Sequence, residues 1–150
     1  MLEQEQLMKA LREAVDAAGD PYWRQKTKRG DSCWHIAVMT EPCLSLLLEG
    51  RKTLESRLSR RRTSPWGRAT PGDGVLLKRS GGPLVGLFEI ETVTYCRLED
   101  GVESLRRSCN DRICAPEEFW RSKEDCRYAT LLGVTHVLRL PTFRVPFRNR

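Results

Sequence analysis

The sequence is short of histidine, with only His35 and His136 among 150 residues, and none of its six cysteines belongs to a C-x-x-C pair. A zinc site is therefore not expected, nor is any other metal or cofactor. The missing histidine pair also argues against ribonuclease chemistry run by two histidines. Each histidine sits alone in a strand-like pattern and reads as a core or surface residue. Cys33, Cys43, Cys96, Cys109, Cys114 and Cys126 read as buried free thiols in a reducing cytoplasm, several of them in apolar runs, as Cys43 is before Leu44. No apolar run approaches the ~20 residues of a membrane span, and the polar N-terminus lacks a signal peptide's apolar core. The expectation is a soluble cytoplasmic protein with no membrane contact and no internal repeat.

What is present is positive charge, unevenly placed. The chain carries a net charge of +6, yet residues 51–79 alone hold nine Lys/Arg against two Asp/Glu, a local +7 that leaves −1 for the rest. Such a concentration is the footprint of a polyanion partner, because Lys and Arg release the counterions condensed on phosphates. RNA or another single-stranded nucleic acid is the leading candidate. The alternative for Arg60, Arg61 and Arg62 is a solvated charged loop.

The length suits one domain with its own core, expected as a monomer. Apolar positions at Leu7, Met8, Leu11, Ala14, Val15 and Ala18 predict an amphipathic helix over 3–18, ended by Gly19-Asp20-Pro21. Residues 22–31 are polar and read as a connector to a strand over 33–39. Thr40-Glu41-Pro42 signals a short buried helix over 43–48 that stops at Gly50. A strand over 52–58, a basic loop over 59–70 and a Pro71-Gly72-Asp73-Gly74 turn follow. Strands over 75–79 and 84–95 are joined by Ser80-Gly81-Gly82-Pro83. Two short helices over 99–108 and 116–126 precede strands over 127–132 and 135–140, separated at Gly133. The pattern predicts an α+β domain on a curved, mostly antiparallel sheet or small barrel. Residues 1–31 form a helix and connector packed on the domain, 32–140 the domain itself, and 141–150 a basic tail.

If 52–58 is extended, Thr53, Glu55 and Arg57 share one face while Leu54, Ser56 and Leu58 share the other. Lys52 falls on the packed side, so it is placed at the strand's start, where a long side chain can swing out. Lys52 and Arg57 can bind phosphate or stabilise a pentacoordinate transition state. Glu55 can act as a general base, or pair with both cations and orient them.

The pattern Gly50-x-Lys52-x-x-Glu55-x-Arg57, with the Pro71-Gly72-Asp73 turn and a strand–Gly–Gly–strand hairpin after it, resembles the ASCH family, whose fold is similar to the PUA domain. The resemblance runs from about Trp34 to about Leu140. It implies a PUA-like β-barrel with peripheral helices, the helix at 3–18 being an N-terminal extension. It also implies a cleft for single-stranded nucleic acid or a nucleoside, lined by Lys52, Glu55 and Arg57. Family members bind RNA, and some resemble ribonucleases or hydrolases of acetylated cytidine. In those hydrolases a threonine nucleophile stands at the position of Glu55, beside the lysine matching Lys52. Here Glu55 replaces it, and Thr53 is a poor substitute.

Further candidate nucleic-acid contacts are Thr53, Arg60, Arg61, Arg62 and Arg68 around Trp66, which reads equally as a stacking platform or a loop anchor. Lys78, Arg79 and Ser80 at the glycine-rich tip, and Arg127 and Tyr128 at the start of a late strand, complete the set. Asp73 reads as a turn former, and Trp23, Trp34 and Trp120 as core. The leading function is RNA binding through a basic cleft. The alternatives are a hydrolytic enzyme, either a metal-independent ribonuclease or a modified-nucleoside amidohydrolase with Lys52, Glu55 and Arg57 as its catalytic set, and a protein-binding adaptor.

Overall fold

The computed structural model describes residues 2–30, 32–62 and 68–143. Ten elements follow in order: α1 Leu2–Ala18, α2 Pro21–Arg29, β1 Trp34–Met39, α3 Cys43–Leu48, β2 Leu54–Ser59, β3 Gly74–Arg79, β4 Leu84–Arg97, α4 Glu103–Ile113, α5 Glu117–Ser122 and β5 Tyr128–Phe143. The strands form one sheet in the order β1-β3-β4-β5-β2. Among the described residues only the β1–β3 pair is parallel.

The α+β, mostly antiparallel reading holds, but the sheet is not closed into a barrel. No ladder joins the edge strands β1 and β2 among the described residues. Charged side chains, described below, occupy the gap between them.

Three apolar clusters divide the molecule. On one face, here called inner, α3 places Leu44 and Leu47 against Ala37, Met39, Val75, Leu77, Phe88 and Leu132. On the opposite face α1 and α2 cover β3 and the first half of β4 through Leu11, Val15, Trp23, Leu76 and Leu87. Beside them α4 and α5 cover β2 and β5 through Leu105, Ile113, Trp120, Leu54 and Leu131. Trp23 and Trp120 are buried, as their patterns predict.

Residues 22–31, read as a connector, largely form α2. Asp20 accepts from the Trp23 N–H at 3.0 Å, Pro21 opens the helix, and Gly30 closes it at φ +71°. The capping set was legible, and the polar composition obscured it. The two late strands are a single strand, β5. Gly133 does not break it; a Cβ there would meet Thr92 Oγ1 at 2.3 Å, where the β4–β5 register shifts. The glycine marks a close approach at a bulge.

Candidate functional site

Gly50, at φ +83°, turns the chain out of α3 so that residues 50–53 run between the ends of α3 and α4. Lys52 is then carried inward instead of into solvent. It is 2% exposed, and its ammonium donates to the carbonyls of Leu54 at 3.1 Å and Ile113 at 2.7 Å. Its third contact is Glu55 Oε1 at 3.4 Å. Two of the ammonium's three donors thus go to carbonyls, and the carboxylate sits beside it as an ion-pair partner. Ile113 ends α4, and a cation there also suits the negative end of the helix dipole.

The strand alternation explains why charged groups fill this position. Val134 and Arg127 N–H groups donate to Thr53 and Ser59, so the odd-numbered backbone groups of β2 face β5 and the even ones face the open edge. On that edge, the Leu54 carbonyl accepts from Lys52 and the Ser56 N–H donates to Glu55 Oε1 at 2.9 Å. On β1, Cys33 and Met39 carbonyls face β3, which leaves Val38 on the open edge. The Val38 carbonyl accepts from Arg57 Nη2 at 3.2 Å, and Arg57 also lies 3.6 Å from Glu55 Oε2. Lys52, Glu55 and Arg57 thus satisfy backbone groups that a closing ladder would have used. They form the seam between the two edges.

Next to the seam, the Cys43 thiol is pushed up by burial, with Lys52 opposing and Glu55 adding to the shift. A protonated thiol is a poor nucleophile.

The face that carries Glu55 and Arg57 continues across the sheet. Register pairs Arg57 with Thr130 and Thr130 with Tyr95, and likewise Ser59 with Tyr128 and Tyr128 with Arg97. Cross-strand partners point the same way, so these side chains share one surface. A pocket of about 410 Å³ opens there, lined by Ser59, Arg62, Tyr95, Arg97, Tyr128 and Thr130 with Cys96 and Ala129. Tyr95 is 56% exposed.

No family model and no curated protein matches the sequence. Solved structures match its fold. An ASCH protein from Zymomonas mobilis matches with TM-score 0.58 and 14% identity, over 73% of this chain and 72% of that one. An ASCH domain from Lactobacillus crispatus matches with TM-score 0.51 and 16% identity, over 77% and 86% respectively. This chain has the ASCH-domain fold. A third structure, from Enterococcus faecalis, matches with TM-score 0.51 and 10% identity, over 88% of this chain and 97% of that one.

On this ASCH fold the remaining predicted contacts are spread out. Thr53 is exposed, with its N–H on the Arg112 carbonyl. Arg60 pairs in the open with Asp125 at 3.1 Å, Arg61, Arg62 and Arg68 are exposed, and only Arg62 of these reaches the pocket. Trp66 lies outside the described residues. Lys78 is buried with its ammonium on the Arg79 carbonyl, whereas Arg79 is exposed and pairs with Glu41 at 3.1 Å beside exposed Ser80. Arg127 turns to the carbonyls of Glu124 and Cys126, away from the pocket that Tyr128 lines.

Asp73 accepts from the N–H and hydroxyl of Thr70, as a turn former should, and also meets His35 Nε2 at 2.9 Å. His35 is therefore not isolated. Tyr95, Arg97, Ser59 and Thr130 went unnoticed in the sequence. Their alternation was visible, but the register that brings them together was not.

Proposed function

We propose that the protein binds single-stranded RNA, with one nucleobase held in the pocket between Tyr95 and Tyr128 and the adjoining phosphates met by Arg62 and Arg97. The observation that carries this reading is the register. Tyr95 sits opposite Thr130, two residues from Tyr128 on the neighbouring strand, so the tyrosines are diagonal neighbours on one face. Diagonal partners lie about 7–8 Å apart, within reach of aromatic side chains. Base stacking on aromatic rings beside cations is how proteins hold single strands without strong sequence preference. The ASCH fold supports the reading.

Fluorescence anisotropy with a labelled single-stranded RNA tests it. Binding should appear at low salt and weaken steeply as salt rises, and Arg62→Ala with Arg97→Ala should flatten the log–log slope by about 0.7 per lost phosphate contact. No binding at low salt, or a slope unchanged in the variant, would sink the proposal.

A second reading, cleavage of RNA or amide hydrolysis on a modified nucleoside without metal, rests on the Glu55–Arg57 contact. There a buried carboxylate meets a guanidinium 30% exposed. Its signature is turnover of labelled RNA or acetylcytidine that Glu55→Gln abolishes. Equal residual turnover in both proteins would refute it.

A further inference from the structure

A second groove of about 620 Å³ runs between β4 and α4, floored by Leu54, Leu98, Leu105 and Leu131. Two thiols line it, Cys96 from β4 and Cys109 from α4, both partly buried against the same apolar cluster. Their surroundings differ. Arg112 Nη2 donates to Cys109 Sγ at 3.5 Å, and the Ser108 hydroxyl lies 3.5 Å from the same sulfur. Cys114, by contrast, donates its S–H to the carbonyls of Arg51 and Asp111. Among the described cysteines, Cys109 is the one whose sulfur accepts from a guanidinium. A thiolate, not a thiol, is the nucleophile, and an adjacent cation with groove access is what favours it.

We propose that Cys109 is a peroxide-oxidised thiol and Cys96 the thiol that resolves it, giving an intramolecular disulfide that staples α4 to β4. In the first step the Cys109 thiolate attacks a hydroperoxide. An S–O bond forms, the O–O bond breaks, and the departing alkoxide or hydroxide takes a proton, leaving a sulfenic acid. In the second step the Cys96 sulfur attacks Cys109. The S–S bond forms, the S–O bond breaks, and the released hydroxide leaves as water with the Cys96 proton. Burial pushes the Cys96 thiol up, with the Cys109 charge adding to it. Cys96 therefore rests as a thiol and attacks as its proton passes to the departing hydroxide. Cys96 also lines the Tyr95–Tyr128 pocket, so the staple lies in the wall between pocket and groove.

The test uses the full chain, reduced and then exposed to stoichiometric hydrogen peroxide, with peptide mapping under non-reducing conditions and dimedone as the sulfenic-acid trap. The expected result is a Cys96–Cys109 disulfide in the wild type and a dimedone adduct at Cys109 in Cys96→Ser. Arg112→Ala, which removes the guanidinium N–H that meets the Cys109 sulfur, should slow oxidation of Cys109 about threefold. Iodoacetamide labelling of the untouched wild type gives an independent reading should a variant not fold, with Cys109 modified faster than exposed Cys33. Faster labelling of Cys33, a disulfide joining any other pair, or oxidation unaffected by Arg112→Ala would overturn the proposal.

Discussion

The seam and the pocket lie on the same face of the sheet, and both draw cations from the strongly basic stretch 51–79, yet they use them in opposite ways. Lys52 and Arg57 turn inward to backbone carbonyls and Glu55, with side-chain exposures of 2% and 30%. Arg62 stays in solvent at the mouth of a pocket with Tyr95, Arg97 and Tyr128. Charge density along a chain therefore does not tell which cations stay exposed. What decides is whether the local backbone has unpaired groups that the charge can satisfy.

The contrast gives its largest expected effect at Lys52. Lys52→Ala leaves the Glu55 carboxylate buried with one partner fewer, and removing one member of a buried pair costs about 3–5 kcal/mol. Denaturant unfolding should show a loss of that size. A loss below about 1 kcal/mol accompanied by abolished RNA binding would place Lys52 in the pocket's class instead.

Next in size is the aromatic pair. Tyr95→Ala and Tyr128→Ala should each weaken RNA binding by about 1–3 kcal/mol, the range measured for base stacking. Because Tyr95 is exposed, its replacement should move stability by no more than about 0.5 kcal/mol. Equal losses of affinity and stability would erase the distinction between the two regions.

The smallest effect belongs to a third place, where α2 docks on the sheet. Glu89 accepts from Lys26 Nζ at 2.6 Å and from the Tyr22 hydroxyl, and Tyr22 stacks on His136 at 3.9 Å. Burial alone would raise the Glu89 carboxyl, but the bonds from Lys26 and Tyr22 outweigh it and hold Glu89 below the ordinary carboxylate range. A lowered folded value contributes stability above the ordinary carboxylate pKa and loses it as pH falls through the folded value. Tyr22 is pushed up to about 12, first by burial and then by Glu89, so its contribution holds below pH 10 and fades as pH rises from 10 towards 12. Melting temperature against pH should be less acid-sensitive in Glu89→Gln, with RNA affinity at neutral pH unchanged. A large loss of affinity in that variant would tie α2 to the pocket.

Much of the fold was legible because local signals agreed with it. The stop at Gly50, the turn at Gly72-Asp73 and the hairpin glycines each fall at an element boundary. The helix α2 escaped because only Trp23 and Thr27 of its nine residues are buried. Barrel closure was overestimated, since nothing in an alternating pattern says whether two edges will pair. The residues of the seam were legible as a cluster, but their inward turn depends on where α4 ends. Tyr95 and Arg97 were legible only as an exposed alternation until β5 fixed their neighbours.

A crystal of the protein soaked with a short single-stranded RNA tests the central claim most directly. The account predicts a nucleobase between Tyr95 and Tyr128, with Lys52 and Glu55 unmoved in the seam. A nucleotide whose phosphate or reactive group contacts Lys52 and Glu55, with the tyrosine pocket empty, would contradict it.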